Sequence, residues 1–174
     1  MATQEFTLRE ARELYAERVK AETGVCPCCM RKVDVPNAYP LSSRHVGILD
    51  RVARINARGF EWARVQRSKR IADKDLARTV QDDDSYALRL LLWGLLISKG
   101  HRSGEYKISQ AGLNFLAGTL AVPSIVYAIG KKVIRMAPTK LFVDEVRRVK
   151  IDKEFYDNYA LSVVQLQMNM AGEK

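Results

Sequence analysis

The chain has 174 residues, of which 47% are hydrophobic and 28% are charged, and its net charge is +9. This composition predicts one folded domain with short appendages and excludes a disordered chain. No apolar run is long enough to cross a bilayer and the first residues form no hydrophobic signal region, so we expect a cytoplasmic protein with no membrane partner.

A helix is predicted near the start of the chain. Thr7 and Glu10 have the spacing of a capping box, in which each side chain accepts a hydrogen bond from the backbone amide of the other residue. Apolar residues then recur at helical spacing up to Gly24, which ends the helix. Because only one stripe of this helix is apolar, it is also a candidate surface for a homodimer.

Three cysteines lie together in the next segment, residues 24–43, where prolines and polar residues predict irregular structure and exclude a helix. Cys26 and Cys29 have the spacing of a zinc knuckle, and His45 is the nearest histidine, so zinc held by these three residues and a fourth ligand is one interpretation. A reduced cluster of thiols that binds no metal is another. A redox dithiol is a third, although no helix start that would lower a thiol pKa follows Cys29.

A second helix is predicted, which is capped by Ser42 or Ser43 and runs to Ala57. The arginines at 44, 51, 54 and 58 are interpreted as distributed around this helix rather than aligned. A short strand at 60–65, a basic turn and a short helix at 71–78 follow. The stretch 41–80 carries ten basic and four acidic side chains, a net charge of +6, and such a localised basic patch indicates a polyanionic partner.

Three consecutive aspartates at 82–84 suit the amino end of the helix predicted at 85–93. In that helix Leu88, Leu91, Leu92 and Leu95 are expected to face inward, and Trp93 is expected in the core. The next predicted elements are a polar loop at 99–104, a short strand and a helix capped by Ser109. Together with the preceding helix they give the order of a recognition helix, a wing hairpin and a closing helix. The central fold prediction rests on this order.

The C-terminal part begins at a Val122-Pro123 step. A hairpin is predicted around Gly130, followed by further strands at 141–143 and 146–151 and a final helix at 153–170. The whole pattern predicts an α+β protein with a winged helix-turn-helix core, an N-terminal amphipathic helix and a small β-rich C-terminal extension. The corresponding boundaries are 1–43 for the helix and cysteine knuckle, 44–121 for the winged helix and 122–174 for the extension.

The central motifs resemble those of a family of small, uncharacterised bacteriophage and prophage proteins. The resemblance is carried by Cys26-Pro27-Cys28-Cys29, by the segment from Ala87 to Leu96 that contains Trp93-Gly94-Leu95-Leu96, by the run from Gly104 to Phe115, and by Val122-Pro123. In the run, Ser109 stands where the family usually has Thr. The resemblance implies a phage setting and a bacterial host cytoplasm, but no particular activity.

Several cations are candidates for contact with nucleic acid. Those that immediately precede the predicted helix-turn-helix, and those on the wing, are expected to bind phosphate: Arg64, Arg67, Lys69, Arg70, Lys74, Lys99, Arg102 and Lys107. Arg89 is the candidate base reader. The three aspartates argue against this interpretation, because carboxylates at the tip of a recognition helix repel DNA unless they are turned aside.

The chain has no nucleophile–base pair, no Gly-x-Ser-x-Gly motif and no glycine-rich phosphate loop, so we expect no enzyme. The first functional hypothesis is a nucleic-acid-binding protein that regulates transcription. The second is a protein-binding module that docks on, or inhibits, a host or phage protein such as a defence system. A structural or assembly component is a third.

Overall fold

The protein has a mixed α+β fold, which confirms the predicted α+β class. A computed structural model describes residues 7, 9–10, 13, 35–67, 73–100, 103–146 and 150–172. The predicted N-terminal helix and cysteine knuckle lie mostly outside these residues. The Thr7–Glu10 capping box is confirmed: the Thr7 amide donates to Glu10 Oε2 at 2.9 Å and the Glu10 amide donates to Thr7 Oγ1 at 3.3 Å.

The described helices are α1 (Ser43–Ala57), α2 (Asp73–Leu76), α3 (Asp84–Leu90), α4 (Gln110–Leu116) and α5 (Lys153–Gly172). Single 3-10 turns occur at Leu91–Trp93, directly after α3, and at Val143–Glu145. The described strands are β1 (Asn37–Pro40), β2 (Ala63–Gln66), β3 (Thr79–Gln81), β4 (Leu96–Ser98), β5 (Glu105–Ile108), β6 (Val122–Pro123), β7 (Ile125–Ile129), β8 (Lys132–Met136) and β9 (Lys140–Leu141).

A four-stranded sheet lies at the centre, in the order β3-β2-β5-β4. Strands β4 and β5 form the predicted antiparallel hairpin, and β5 also pairs antiparallel with β2. Strand β3 pairs parallel with β2 and was not predicted. The helix predicted at 71–78 is correspondingly shorter, because α2 ends at Leu76 and the chain turns at once into β3.

A second sheet, in the order β1-β7-β8, contains the predicted hairpin around Gly130. Its edge strand β1 corrects the expectation that residues 24–43 are irregular throughout. Proline is tolerated on an edge strand because no ladder hydrogen bond is needed on its outer side, so Pro40 can end β1 opposite Ile125. In place of the strand predicted at 141–143, a shorter strand begins one residue earlier: β9 pairs with β6, and a 3-10 turn follows it. The strand predicted at 146–151 includes residues 147–149, which lie outside the described residues, so it stays a prediction.

Helix α1 packs its apolar face into the core, where Val46, Leu49 and Val52 are completely buried. Its buried Asn56 joins the end of the helix to two other segments. The Asn56 amide donates to the carbonyls of Phe60 and Glu61 at 2.8 and 3.1 Å, and its Oδ1 accepts from the amide of Ile108 in β5 at 2.9 Å. The helix and the hairpin are therefore joined through one side chain.

Helix α4 begins as predicted at Ser109, whose Oγ accepts from the Gly112 amide at 3.0 Å and donates to the Gly94 carbonyl at 2.6 Å. A Cβ at Gly112 would lie 2.3 Å from the carbonyl oxygen of Leu95. The close approach of α4 to the chain that leaves the 3-10 turn thus requires glycine at this position.

The face of α3 differs from the prediction. Ala87 and Leu90 are buried, whereas Leu88 is 41% exposed. Trp93 lies in the core as expected, and its Nε1 donates to the carbonyl of Pro123 at 2.7 Å. The 3-10 turn changes the helical spacing after Leu90, so that Leu88 no longer shares the inner face with Leu95.

Candidate nucleic-acid interface

Asp82, the first of the three aspartates, is bound to two arginines of α1. Its carboxylate lies 2.7 Å from the guanidinium of Arg44 and 2.6 Å from that of Arg51. Burial by itself would raise the pKa of Asp82, but the amide of Asp83 and the two guanidinium groups outweigh it and lower the pKa. Asp82 therefore stays ionised as a shared counter-ion.

The other two aspartates also bond within the chain. Asp83 is the N-cap of α3 and accepts from the Ser85 amide at 2.9 Å, a hydrogen bond that lowers its pKa. Asp84 accepts a 2.5 Å hydrogen bond from the hydroxyl of Tyr106, the buried tyrosine of β5. Each carboxylate at the start of α3 is thus used as a counter-ion, a cap or an acceptor.

The three arginines of α1 and Arg58, its C-cap residue, lie on one side of the helix, which corrects the interpretation that they are distributed around it. Arg44 and Arg51 share Asp82, and Arg51, Arg54 and Arg58 line one concavity of about 260 Å³. The spacing of seven residues from 44 to 51 and from 51 to 58 is close to two helical turns and was the available signal. We call these four residues the arginine face.

Two of these arginines contact further residues. Arg54 lies 3.2 Å from Asp50, with its guanidinium carbon 5.1 Å from the ring centroid of Phe155. The guanidinium carbon of Arg44 lies 4.5 Å from the ring centroid of Tyr86 in α3. The side chains of Arg44, Arg51 and Arg54 remain 52%, 45% and 42% exposed, so their outer surfaces are accessible.

Arg89, the predicted base reader, lies between two aromatic rings. Its guanidinium carbon is 5.2 Å from the ring centroid of Tyr86 and 5.3 Å from that of Tyr39 in β1. Tyr86 therefore has arginines from α1 and α3 within cation–π distance. This arrangement places the start of α3 beside the arginine face.

The two wing cations that lie within the described residues are paired with carboxylates. Lys99 lies 2.9 Å from Glu105 and Lys107 lies 3.7 Å from Glu61. The hydrogen bond from Lys99 lowers the pKa of Glu105, and the charges of nearby arginines, Arg64 among them, lower it further. Arg64 lies opposite Glu105 in the β2–β5 register. The hairpin surface is therefore largely compensated in charge.

The remaining predicted cations can be placed only in part. Arg67 is exposed directly after β2, and Lys74 lies in α2. Lys69, Arg70 and Arg102 lie outside the described residues, and so does the side chain of Lys74.

His45, the predicted zinc ligand, is buried in the first turn of α1, where it is only 3% exposed. Its Nδ1 accepts from the Ser42 amide at 3.2 Å and lies 2.7 Å from Ser42 Oγ. Its Nε2 is buried and has no hydrogen-bond partner among the described residues, and the ring packs against Tyr86 and Trp93. Burial, and to a smaller degree the charge of Arg89, lower the pKa of His45 to about 4.

Zinc binding stays a prediction. Its proposed ligands Cys26 and Cys29 lie outside the described residues, and within the described ranges no group of three or more His, Cys, Asp or Glu side chains could hold a metal ion. Nε2 would be the nitrogen of His45 left for a metal, since Ser42 already bonds Nδ1.

A groove of about 300 Å³ separates α3 from the three-stranded sheet. Most of the exposed area in the groove is apolar, and two cations also line it. The lining residues are Tyr39, Ser85, Leu88, Arg89, Leu91, Leu92, Gly130 and Lys131. Sequence reasoning missed this groove because β1 and the turn of the β7–β8 hairpin, which complete it, are distant from α3 along the chain.

Comparison of the chain with protein-family models, with curated proteins and with solved structures gives no match. Over the residues that the structure describes, no helix is both long enough and apolar enough to cross a membrane.

Proposed function

We propose that this chain is a non-enzymatic nucleic-acid-binding protein with a winged-helix core, of the kind that regulates transcription. The observation that carries the proposal is the arrangement of α1, β2, α2, α3 and the β4–β5 hairpin. The sheet order β2-β5-β4, with β5 between its two antiparallel partners, is the order expected when a recognition helix leads directly into a wing. The proposal departs from the simplest pattern at β3, which adds a parallel strand beside β2.

The charge at the start of α3 supports the same proposal. The three aspartates were the main argument against DNA, and each is occupied by a cation, an amide or a hydroxyl of this chain. Arg89 is the candidate side chain for a base edge, because it is the cation that α3 itself carries. The resemblance to phage and prophage proteins extends the proposal to a regulator that acts in a bacterial cytoplasm.

Fluorescence anisotropy with a labelled random-sequence duplex tests the proposal. We expect binding at low salt that weakens linearly on a plot of log K against log salt concentration, since each phosphate contact releases condensed counter-ions. Arg89→Ala should weaken binding, whereas Lys140→Ala, which removes an exposed cation from β9, should have a smaller effect. The absence of binding, or an affinity that does not respond to salt, would contradict the proposal.

The groove favours a second candidate function, a module that docks on a host or phage protein. Leu88 is 41% exposed at the groove, beside half-buried Leu91 and Leu92. Capture from nuclease-treated bacterial lysate, compared between the wild type and Leu88→Glu, would identify a protein whose binding needs this groove. Reconstitution of that complex from purified proteins, without nucleic acid, would establish the second function instead of the first.

A further inference from the structure

We propose that the arginine face of α1 binds the phosphodiester backbone of the nucleic acid and that the β4–β5 hairpin contributes little to this contact. The inference rests on the proposed function and specifies its surface. The face comprises Arg44, Arg51, Arg54 and Arg58, whereas sequence reasoning had assigned phosphate contact to cations further along the chain and on the wing.

The length of the face fits an extended polyanion. Residues 44 and 58 are fourteen positions apart, and Arg58 is the C-cap residue directly after α1, so the face is about 21 Å long at about 1.5 Å per residue. Each strand of a duplex carries a phosphate about every 3.4 Å of helix axis. The face is therefore long enough to contact several phosphates, and its arginines can contact different ones.

The charge of the face is in excess over its counter-ions. Among the described residues, the ion pairs of these four guanidinium groups involve two carboxylates, those of Asp50 and Asp82. Burial by itself would lower the pKa of Arg54, but nearby carboxylates, Asp152 among them, raise it. Arg58 is exposed and has no ion pair among the described residues. The concavity that Arg51, Arg54 and Arg58 line also includes Gln81, whose exposed amide group adds a neutral donor.

The arginines are also held in place before any ligand arrives. Asp82 orients Arg44 and Arg51, and Arg51 further donates to the Gly47 carbonyl at 3.1 Å. Asp50 and the ring of Phe155 orient Arg54. A guanidinium group that is already ordered loses less conformational entropy when it binds a phosphate.

The arginine face lies next to α3. Arg44 and Arg89 both lie against Tyr86, so the cations continue from α1 to the proposed recognition helix. On the hairpin, Lys99 and Lys107 are each paired with a different carboxylate, whereas Arg44 and Arg51 share the single carboxylate of Asp82. A duplex in contact with α3 would thus lie beside a surface of net positive charge on α1.

The test compares salt dependence between two double variants that each remove two cations. We expect Arg51→Gln with Arg58→Gln to reduce the magnitude of the slope of log K against log salt by about 1.8, because each lost phosphate contact removes about 0.9. Lys99→Gln with Lys107→Gln should leave the slope close to that of the wild type. Arg58→Gln alone, which breaks no described ion pair, should reduce it by about 0.9.

Asp82→Asn tests the same surface by removing a negative charge instead of positive charges. Removing the shared counter-ion while keeping an acceptor for the Asp83 amide should steepen the slope, since Arg44 and Arg51 gain charge that is free to pair with phosphate. Thermal unfolding of every variant, measured alongside, identifies any change that comes from lost stability instead.

The outcomes separate the two proposals. A slope that falls for the lysine pair but not for the arginine pair, with Asp82→Asn unchanged, overturns the inference and leaves nucleic-acid binding intact. If the wild type shows no salt-dependent binding to duplex DNA, the proposed function fails, and the inference fails with it.

Discussion

The hydroxyl of Tyr156 donates a 2.6 Å hydrogen bond to the carboxylate of Asp50, 106 residues earlier in the chain. Tyr156 is completely buried, and its ring packs edge-on against Phe155 at a centroid distance of 4.9 Å. Burial raises the pKa of Tyr156, and the hydrogen bond to Asp50 raises it further. The hydroxyl therefore keeps its proton and joins α5 to the helix that carries the arginine face.

Tyr156→Phe should lower the free energy of unfolding by about 1.5–3 kcal/mol, the usual range for a hydrogen bond to a charged group. Chemical denaturation monitored by circular dichroism measures this change. Tyr159→Phe is the matched control, because Tyr159 is only half-buried and its hydroxyl has no hydrogen bond among the described residues. Equal losses in the two variants would show that the Tyr156–Asp50 bond adds nothing.

Two helical glycines should respond to alanine with opposite signs. At Gly112 a Cβ would lie 2.3 Å from the backbone oxygen of Leu95, and backbone cannot move aside cheaply, so Gly112→Ala should destabilise by several kcal/mol. At Gly47 in α1 a Cβ would meet no atom of the described structure within 4 Å. Gly47→Ala should therefore stabilise by about 0.5–1 kcal/mol, because alanine loses less backbone entropy in a helix. Thermal melts of both variants check the pair.

Asn56→Leu should be strongly destabilising although it keeps the number and branching of the side-chain heavy atoms. The substitution removes the acceptor for the Ile108 amide and the donor for the carbonyls of Phe60 and Glu61. An unpaired buried polar group costs about 1–3 kcal/mol, so we expect a loss of about 3 kcal/mol or more. Asn158→Leu makes the same substitution at an exposed position of α5. It is the control and should change the free energy of unfolding little.

The buried His45 should make the protein less stable in mild acid. Its folded pKa of about 4 lies below the ordinary histidine pKa of 6.5, so the unfolded chain binds the proton more readily between these values. The free energy of unfolding should therefore fall as the pH drops below about 6.5, by up to about 1.4 kcal/mol per pH unit.

Urea unfolding between about pH 6.5 and about pH 5, a window in which few carboxylates titrate, measures this effect. His45→Gln should remove most of the dependence, and His101→Gln, the same change at the other histidine, should retain it. Retention of the full pH dependence in His45→Gln would assign the dependence to other groups.

Local patterns predicted several elements correctly because their determinants are close together in sequence. The apolar spacing of α1, the hydroxyl of Ser109 at the start of α4 and the glycine of the β7–β8 turn each act within a few residues. Trp93 was placed in the core for the same reason, since it follows an apolar helix.

The elements that were missed depend on partners far away in sequence. Strand β1 has a polar, proline-containing sequence and forms because β7 supplies its hydrogen bonds. The compensation of Lys107 by Glu61 and the shared role of Asp82 are likewise tertiary. Charge counts along the chain therefore located a basic region but could not show which of its cations are neutralised.

Arg89 belongs to both candidate binding surfaces, the one for nucleic acid and the one for a protein partner. The same guanidinium lines the groove beside Tyr39 and is the proposed contact to a base. It cannot serve both ligands at once, so a protein that fills the groove would compete with DNA, and each ligand would lower the affinity of the other by the same factor. A docking partner would in that case act as an anti-repressor or an inhibitor, simply by occupying one shared side chain.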